Sequence, residues 1–185
     1  MFSKPILDQF DSFEKLSVRY AIFAGAEVAL LTQNRKPTDI DIIIHNDDFD
    51  KLKNNLSQAN FTVDSVFNIK STDGQEIICT ANTLEYFVYT VQFDVMSNCV
   101  FKAEDNLCET FLTDLAVKNR INMSINEHPI WLANPIDTIV IKSLMRRGHE
   151  QNKFDLEDCE ILMKNCRIDK EYLAEKSKPC LRLRD

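Results

Sequence analysis

No apolar run in this 185-residue sequence is long enough to cross a bilayer. The first twenty residues, broken by Asp8, Asp11 and Glu14, also lack the continuous apolar segment of a secretory signal. A cytoplasmic protein is therefore expected. The six cysteines, at 79, 99, 108, 159, 166 and 180, contain no CxxC pair and no metal-knuckle spacing, and His45, His128 and His149 stand at no zinc-ligand spacing to them. Neither a disulfide framework nor a zinc site is expected, and the cysteines read as small buried hydrophobes. A basic surplus is missing too: 22 Lys and Arg against 29 Asp and Glu leave a net charge of −7. That balance argues against a broad grip on a nucleic-acid backbone, so a nucleic-acid partner would need a local basic patch. Internal repeats and low-complexity segments are absent. What remains is ordinary globular composition, 44% hydrophobic and 28% charged, over a length that suits a domain with a helical appendage.

Chemistry concentrates in residues 20–44, YAIFAGAEVALLTQNRKPTDIDIII. The apolar run Tyr20 to Ala24 stops at Gly25 and a helix-forming run, Ala26 to Leu31, follows, which predicts a strand, a tight turn and a helix N-terminus. A second apolar run, Ile40 to Ile44, brings Asp39 and Asp41 at i, i+2, on one face of a strand. Two converging carboxylates oppose folding unless a cation neutralises them. A hard divalent ion, Mg²⁺ or Mn²⁺, is held by such carboxylates together with substrate phosphates. Gly25-Ala26 would supply the phosphate cradle through backbone approach and the N–H groups of the following helix. Farther on, Asp94 is the lone acid in the apolar run Val91 to Met96, where an aspartate is costly without a partner. The plainer alternatives are a solvated strand end for Asp39 and Asp41 and a turn cap for Asp94.

Gly25-Ala26, a spacer of twelve residues, then Asp39-Ile40-Asp41-Ile42 resembles the signature of the DNA polymerase beta-like nucleotidyltransferases, a glycine followed by Gly or Ser and then Asp-hydrophobic-Asp/Glu-hydrophobic. The departure is Ala26, which lacks the hydroxyl that could touch a phosphate. The resemblance implies that Asp39, Asp41 and a third acid, Asp94, hold metal, and that Gly25 and Ala26 meet a nucleoside triphosphate. The loop Asn34-Arg35-Lys36-Pro37 with Thr38 either meets the nucleotide's phosphates, through Arg35 and Thr38, or is a solvated connection. His45, just past the aspartate strand, either reaches the site or is a strand-end polar group.

The remaining elements follow from periodicity. Ile6, Phe10, Phe13 and Leu16 predict an opening helix. Asn46 is expected to cap a helix bearing Phe49, Leu52 and Leu56. Phe61–Ile69 and Gln75–Thr80 read as a hairpin, and Phe87–Met96 as a single strand that delivers Asp94. Leu107 to Val117 reads as a short helix or an irregular connection, and two short strands follow around Asn126-Glu127-His128-Pro129. Asn134, Pro135 and Asp137 are start signals, and Arg146, Arg147 and Gly148 stop signals, for a helix of about three turns. Helices at Phe154–Cys166 and Asp169–Lys176 follow, with a tail from Lys178.

This C-terminal pattern, Ala133-Asn134-Pro135, Lys142, Arg146, Lys153, Asp155 and Asp158, looks like the helical motif of the abortive-infection (AbiEii type) nucleotidyltransferases. There a Lys and an Asp on successive helices face the metal site. The resemblance implies that Lys142 offsets charge on the triphosphate and Asp158 orients the acceptor; the structural alternative is an exposed helix-to-helix ion pair worth at most about 1 kcal/mol. The expectation is thus an α/β fold, a small mixed sheet flanked by helices over residues 1–133, with a helical segment over 134–185 packed on it. The expected activity is Mg²⁺-dependent nucleotidyl transfer from an NTP to a hydroxyl, as by a toxin modifying tRNA or protein and paired with a cognate antitoxin. The rival expectation is a non-catalytic nucleotide- or partner-binding module on the same fold.

Overall fold

The computed structural model describes residues 2–33, 39–103, 109–111 and 113–181. Pro5 in its first turn and the spacing of its apolar residues make α1 (Lys4–Lys15) an amphipathic helix that buries Ile6, Leu7, Phe10 and Phe13. Next, β1 (Tyr20–Phe23) runs straight into α2 (Ala24–Thr32), and β2 (Asp39–Ile44) returns antiparallel to β1. A 3₁₀ turn at Asn46–Asp48 leads to α3 (Phe49–Asn55). Three long strands and a short one come next: β3 (Asn60–Lys70), β4 (Glu76–Val88), β5 (Val91–Ala103) and β6 (Glu109–Phe111). The chain continues with α4 (Thr113–Lys118), β7 (Ile121–Ile125), β8 (His128–Leu132) and α5 (Pro135–Met145). It closes with α6 (Asp155–Asn165) and α7 (Lys170–Leu181).

The strands form one mixed sheet in the order β3-β4-β5-β2-β1-β8-β7, with β6 pairing β5. This is the expected α/β architecture, with a larger sheet than the sequence suggested. Its parallel pairs are β2 with β5 and β1 with β8. Strand alternation divides the core. Tyr20, Ile22, Ile40, Ile42 and Ile44 pack with Phe10 and Phe13 of α1 on one face, and Ala21, Phe23 and Ile43 pack with α4 and α5 on the other. Val28 of α2, Ile139 of α5 and Cys159 and Leu162 of α6 form a third cluster, so the C-terminal helices seat on α2 and on the sheet face that carries Asp39 and Asp41.

Three local expectations are corrected. The run Phe87 to Met96 is not one strand: β4 and β5 meet in a hairpin whose exposed turn residue Tyr89 adopts φ 56. No Gly or Asn marks that turn, and the residues around it are uniformly β-forming, so the break is silent in the sequence. The cap of the turn after β2 is the His45 ring, which accepts from the Asp47 N–H; Asn46 instead accepts from the Asn98 N–H at 2.6 Å and from the Thr113 hydroxyl at 3.0 Å. Finally, α7 extends to Leu181, past the expected start of the tail.

Candidate metal and nucleotide site

The site begins with the alternation of β2. Ile40, Ile42 and Ile44 must face the α1 side of the core, which leaves Asp39 and Asp41 on the opposite face at the end where the strand starts. The antiparallel pairing Phe23↔Asp41 sets the start of α2 beside them. The parallel register Asp39↔Gln92 and Asp41↔Asp94 then brings in the third acid from β5. The carboxylates of Asp39, Asp41 and Asp94, all half-buried, present ligand oxygens within 4.8 Å of one another. Gln92 donates to Asp94 Oδ1 at 2.7 Å and fixes that side chain.

Burial and then the charges of Asp39 and Asp94 push the Asp41 carboxyl up to about 7, with Lys153 and Lys142 acting in the opposite sense. Asp94 is also raised, first by burial, with Asp39 adding to it and the Gln92 hydrogen bond and Lys153 opposing. Three oxygen donors this close, with two carboxyls that resist ionisation, fit a hard divalent cation, which would convert mutual repulsion into shared attraction.

Beside the triad, the sharp corner from β1 into α2 is made at Ala24, whose φ is 55. Gly25 is already helical, so the left-handed residue of this turn is Ala24 and not the glycine. The first N–H groups of α2 are thereby set at the mouth of the site. Ala26 is fully buried and faces the core, so a hydroxyl at this position would not project toward a phosphate. Glu27, one residue on, is buried and accepts from the Thr138 hydroxyl; burial raises its carboxyl well above the usual range, against the Thr138 bond. A left-handed alanine carries a steric cost, so Ala24→Gly is expected to stabilise the fold by about 1 kcal/mol in urea unfolding. A loss of stability would show that the turn relaxes out of φ > 0 in solution. Arg35 and Thr38, read as nucleotide-binding, lie outside the described residues.

A cavity of about 360 Å³ opens beside Asp41 and Asp94, lined also by Ala24 at the start of α2, by Glu85, Phe67, Ile69 and Phe101 of the sheet, by Met145 at the end of α5, and by Arg147 and Lys153 from the α5–α6 connection. Glu85 is the cross-strand partner of Asp94, so its side chain shares that face. Sequence reading gave Glu85 and Arg147 no part in the site. Arg147 was visible as a helix stop signal, and Glu85 lay in a stretch to which no strand was assigned.

Lys142 and Asp158 are brought together, but not in the expected setting. Lys142 Nζ lies 2.9 Å from Asp155 Oδ1 and 2.8 Å from Asp158 Oδ2, and the three side chains are 5%, 0% and 1% exposed. The exposed ion pair is therefore corrected to a buried one, with Asp155 as an additional partner. Lys142 is not among the residues that line the cavity, although its charge reaches Asp41. His45 stands at the opposite end of β2 from Asp39, engaged with the Asp47 N–H.

The sequence matches no protein-family model and no curated protein. Solved structures do resemble it. A candidate nucleotidyltransferase from Thermotoga maritima aligns over 86% of this chain and 89% of its own, at 17% identity and a TM-score of 0.57. The lincosamide antibiotic adenylyltransferase LnuA, solved with lincomycin bound, aligns over 90% and 99% at 14% identity and a TM-score of 0.51. The enzyme ANT(2″)-Ia, solved with adenylyl-2″-tobramycin, aligns over 96% and 97% at 10% identity and a TM-score of 0.57. At such identities the likeness is one of fold: the chain has the fold of nucleotidyltransferases over nearly its whole length. No helix among the described residues is long and apolar enough to cross a membrane.

Proposed function

We propose that this chain is a metal-dependent nucleotidyltransferase that moves a nucleoside monophosphate from an NTP to an acceptor hydroxyl. The observation that carries the reading is the convergence of Asp39, Asp41 and Asp94 within 4.8 Å on one sheet face, next to the start of α2. Asp39, Asp41 and Asp94 would hold Mg²⁺ or Mn²⁺, which when bound supplies charge stabilisation at the reacting phosphate. The N–H groups at Gly25 and Ala26 receive phosphate oxygens at the helix N-terminus, and Arg35 and Thr38 complete the nucleotide's surroundings. Asp94 takes the proton of the acceptor hydroxyl as the hydroxyl oxygen bonds to the α-phosphorus. The bond from that phosphorus to the bridging oxygen breaks, and pyrophosphate leaves with the electron pair. Lys142 offsets the accumulating charge from behind the cavity, through the field that already reaches Asp41, and Asp158 holds Lys142 in place.

The acceptor belongs to one of three classes. The AbiEii-type resemblance favours tRNA or protein, with this chain as the toxin of a toxin–antitoxin pair. The folds of LnuA and ANT(2″)-Ia favour a small molecule, since those two are solved with antibiotic ligands. The non-catalytic rival draws its weight from Ala26 and from the acidic surface, and burial of the Ala26 side chain bears on the first of these alone. Each α-labelled NTP, incubated with Mg²⁺ or Mn²⁺ and with total cell RNA, total protein or a panel of hydroxyl-bearing small molecules that includes antibiotics, is expected to leave label on one acceptor pool and to release pyrophosphate. Absence of both label and pyrophosphate with all four nucleotides, despite measurable Mg²⁺-nucleotide binding, would establish the binding module instead.

A further inference from the structure

Asp155 opens α6 with no solvent exposure and both carboxylate oxygens engaged. Its Oδ2 accepts from the Arg147 backbone N–H at 3.0 Å and from Arg147 Nε at 2.9 Å. Its Oδ1 accepts from Arg147 Nη2 at 3.3 Å and from Lys142 Nζ at 2.9 Å. Burial alone would raise this carboxyl, but the hydrogen bonds and charges of Arg147 and Lys142 outweigh it and hold Asp155 below the usual carboxylate range. Asp155 therefore grips the guanidinium side-on through Nε and Nη2, and among the described residues Nη1 is the part of the fork left to meet a ligand.

The connection that carries Arg147 is held from both directions. Asp155 N donates to Arg147 O at 3.3 Å and Lys153 N to Gly148 O at 3.1 Å, which closes the loop on itself. Across the cavity, Arg146 Nη1 reaches Asp73 at 2.8 Å and the Thr72 N–H donates to Arg146 O at 3.1 Å, which ties the same loop to the β3–β4 turn. Arg146 thus points away to the hairpin while Arg147, 20% exposed, and Lys153 line the cavity with Asp41 and Asp94. Lys142 spends its charge on Asp155 and Asp158 in the interior. A cation buried behind the wall neutralises the carboxylate that positions the cation in the wall.

We infer that Arg147, set by Asp155, grips the terminal phosphates of the nucleotide and so makes the site select triphosphates over monophosphates. This rests on the nucleotidyltransferase reading and adds a residue to it. During transfer the bond between the α-phosphorus and the bridging oxygen breaks and its electron pair departs on pyrophosphate. A fixed guanidinium at that end meets the charge where it accumulates. Arg suits the task over Lys because its planar fork serves a carboxylate and a phosphate at once.

The test is calorimetric binding of the four Mg²⁺-NTPs and their monophosphates to the full chain, for the parent and for Arg147→Ala, Arg147→Lys and Asp155→Asn. The parent is expected to favour the preferred triphosphate over its monophosphate. Arg147→Ala should cut triphosphate affinity about 10- to 100-fold and leave monophosphate affinity within about twofold, the range of a charge-assisted hydrogen bond. Asp155→Asn keeps Arg147 but loosens it, and should lose part of the same selectivity, which a merely structural defect would not single out. Arg147→Lys keeps a cation beside Asp155 and decides the question if the alanine variant fails to fold, with the same loss of selectivity expected. Parental selectivity in Arg147→Ala or Arg147→Lys overturns the assignment. A parent that binds no Mg²⁺-NTP overturns the nucleotidyltransferase reading itself, and the assignment with it.

Discussion

Asp41→Asn is expected to abolish nucleotidyl transfer while making the metal-free protein more stable above neutral pH. In the folded chain the Asp41 carboxyl is pushed up to about 7 by burial and by Asp39 and Asp94, whereas in the unfolded chain it titrates at its ordinary value near 4. The folded state therefore holds a proton that the unfolded state releases between those pH values. By linkage, parental stability falls as pH rises through this window, and the penalty is complete above about 7. A carboxyl titrating near 7 instead of near 4 corresponds to roughly 4 kcal/mol at most, reduced here because Asp41 is only half-buried. Asparagine keeps the shape and removes the charge, so the melting temperature of the variant should fall less between pH 5 and 8 than that of the parent, the remainder coming from the other raised carboxyls, Asp94 among them. Divalent cation should reverse the order, raising the parent and leaving Asp41→Asn unmoved. Equal stabilisation of both proteins by Mg²⁺ or Mn²⁺ would place the metal elsewhere.

The triad was legible because it rests on local pattern. Period-two alternation placed Asp39 and Asp41 on one face, and a lone acid in an apolar run marked Asp94. What joins them, the register Asp41↔Asp94, depends on pairing strands separated by about fifty residues and leaves no local trace. The hairpin at Tyr89 was hidden because a left-handed tyrosine does what glycine or asparagine usually announces. Arg147 was hidden for another reason: a basic residue just past a helix reads as a stop signal, and its partner Asp155 sits across a loop whose closure the sequence does not specify. The buried setting of Lys142 was not legible, because start and stop signals mark the ends of α5 but not how much of its surface is covered. In the fold α5 is enclosed by α2, α6, α7 and the sheet, and Asp137, Thr138 and Lys142 are buried along with its isoleucines.

That enclosure sets the second large effect. Lys142→Ala is expected to destabilise the fold by about 3–5 kcal/mol, the usual cost of breaking a buried ion pair by removing one partner. Asp155 would keep Arg147, but Asp158 would lose the ammonium 2.8 Å from it while itself 1% exposed. An exposed pair would have cost at most about 1 kcal/mol and would have weakened further in salt. The deficit of Lys142→Ala should also persist in high salt, because the lost partner is buried and not solvated. Urea unfolding of the parent and of Lys142→Ala, each at low and high salt, measures both its size and its salt response. A deficit under about 1 kcal/mol that shrinks with salt would mean that the pair is solvated, and that Lys142 is free to reach into the cavity. A deficit of several kcal/mol that salt leaves intact would place Lys142 in the wall, holding Asp155 and through it Arg147.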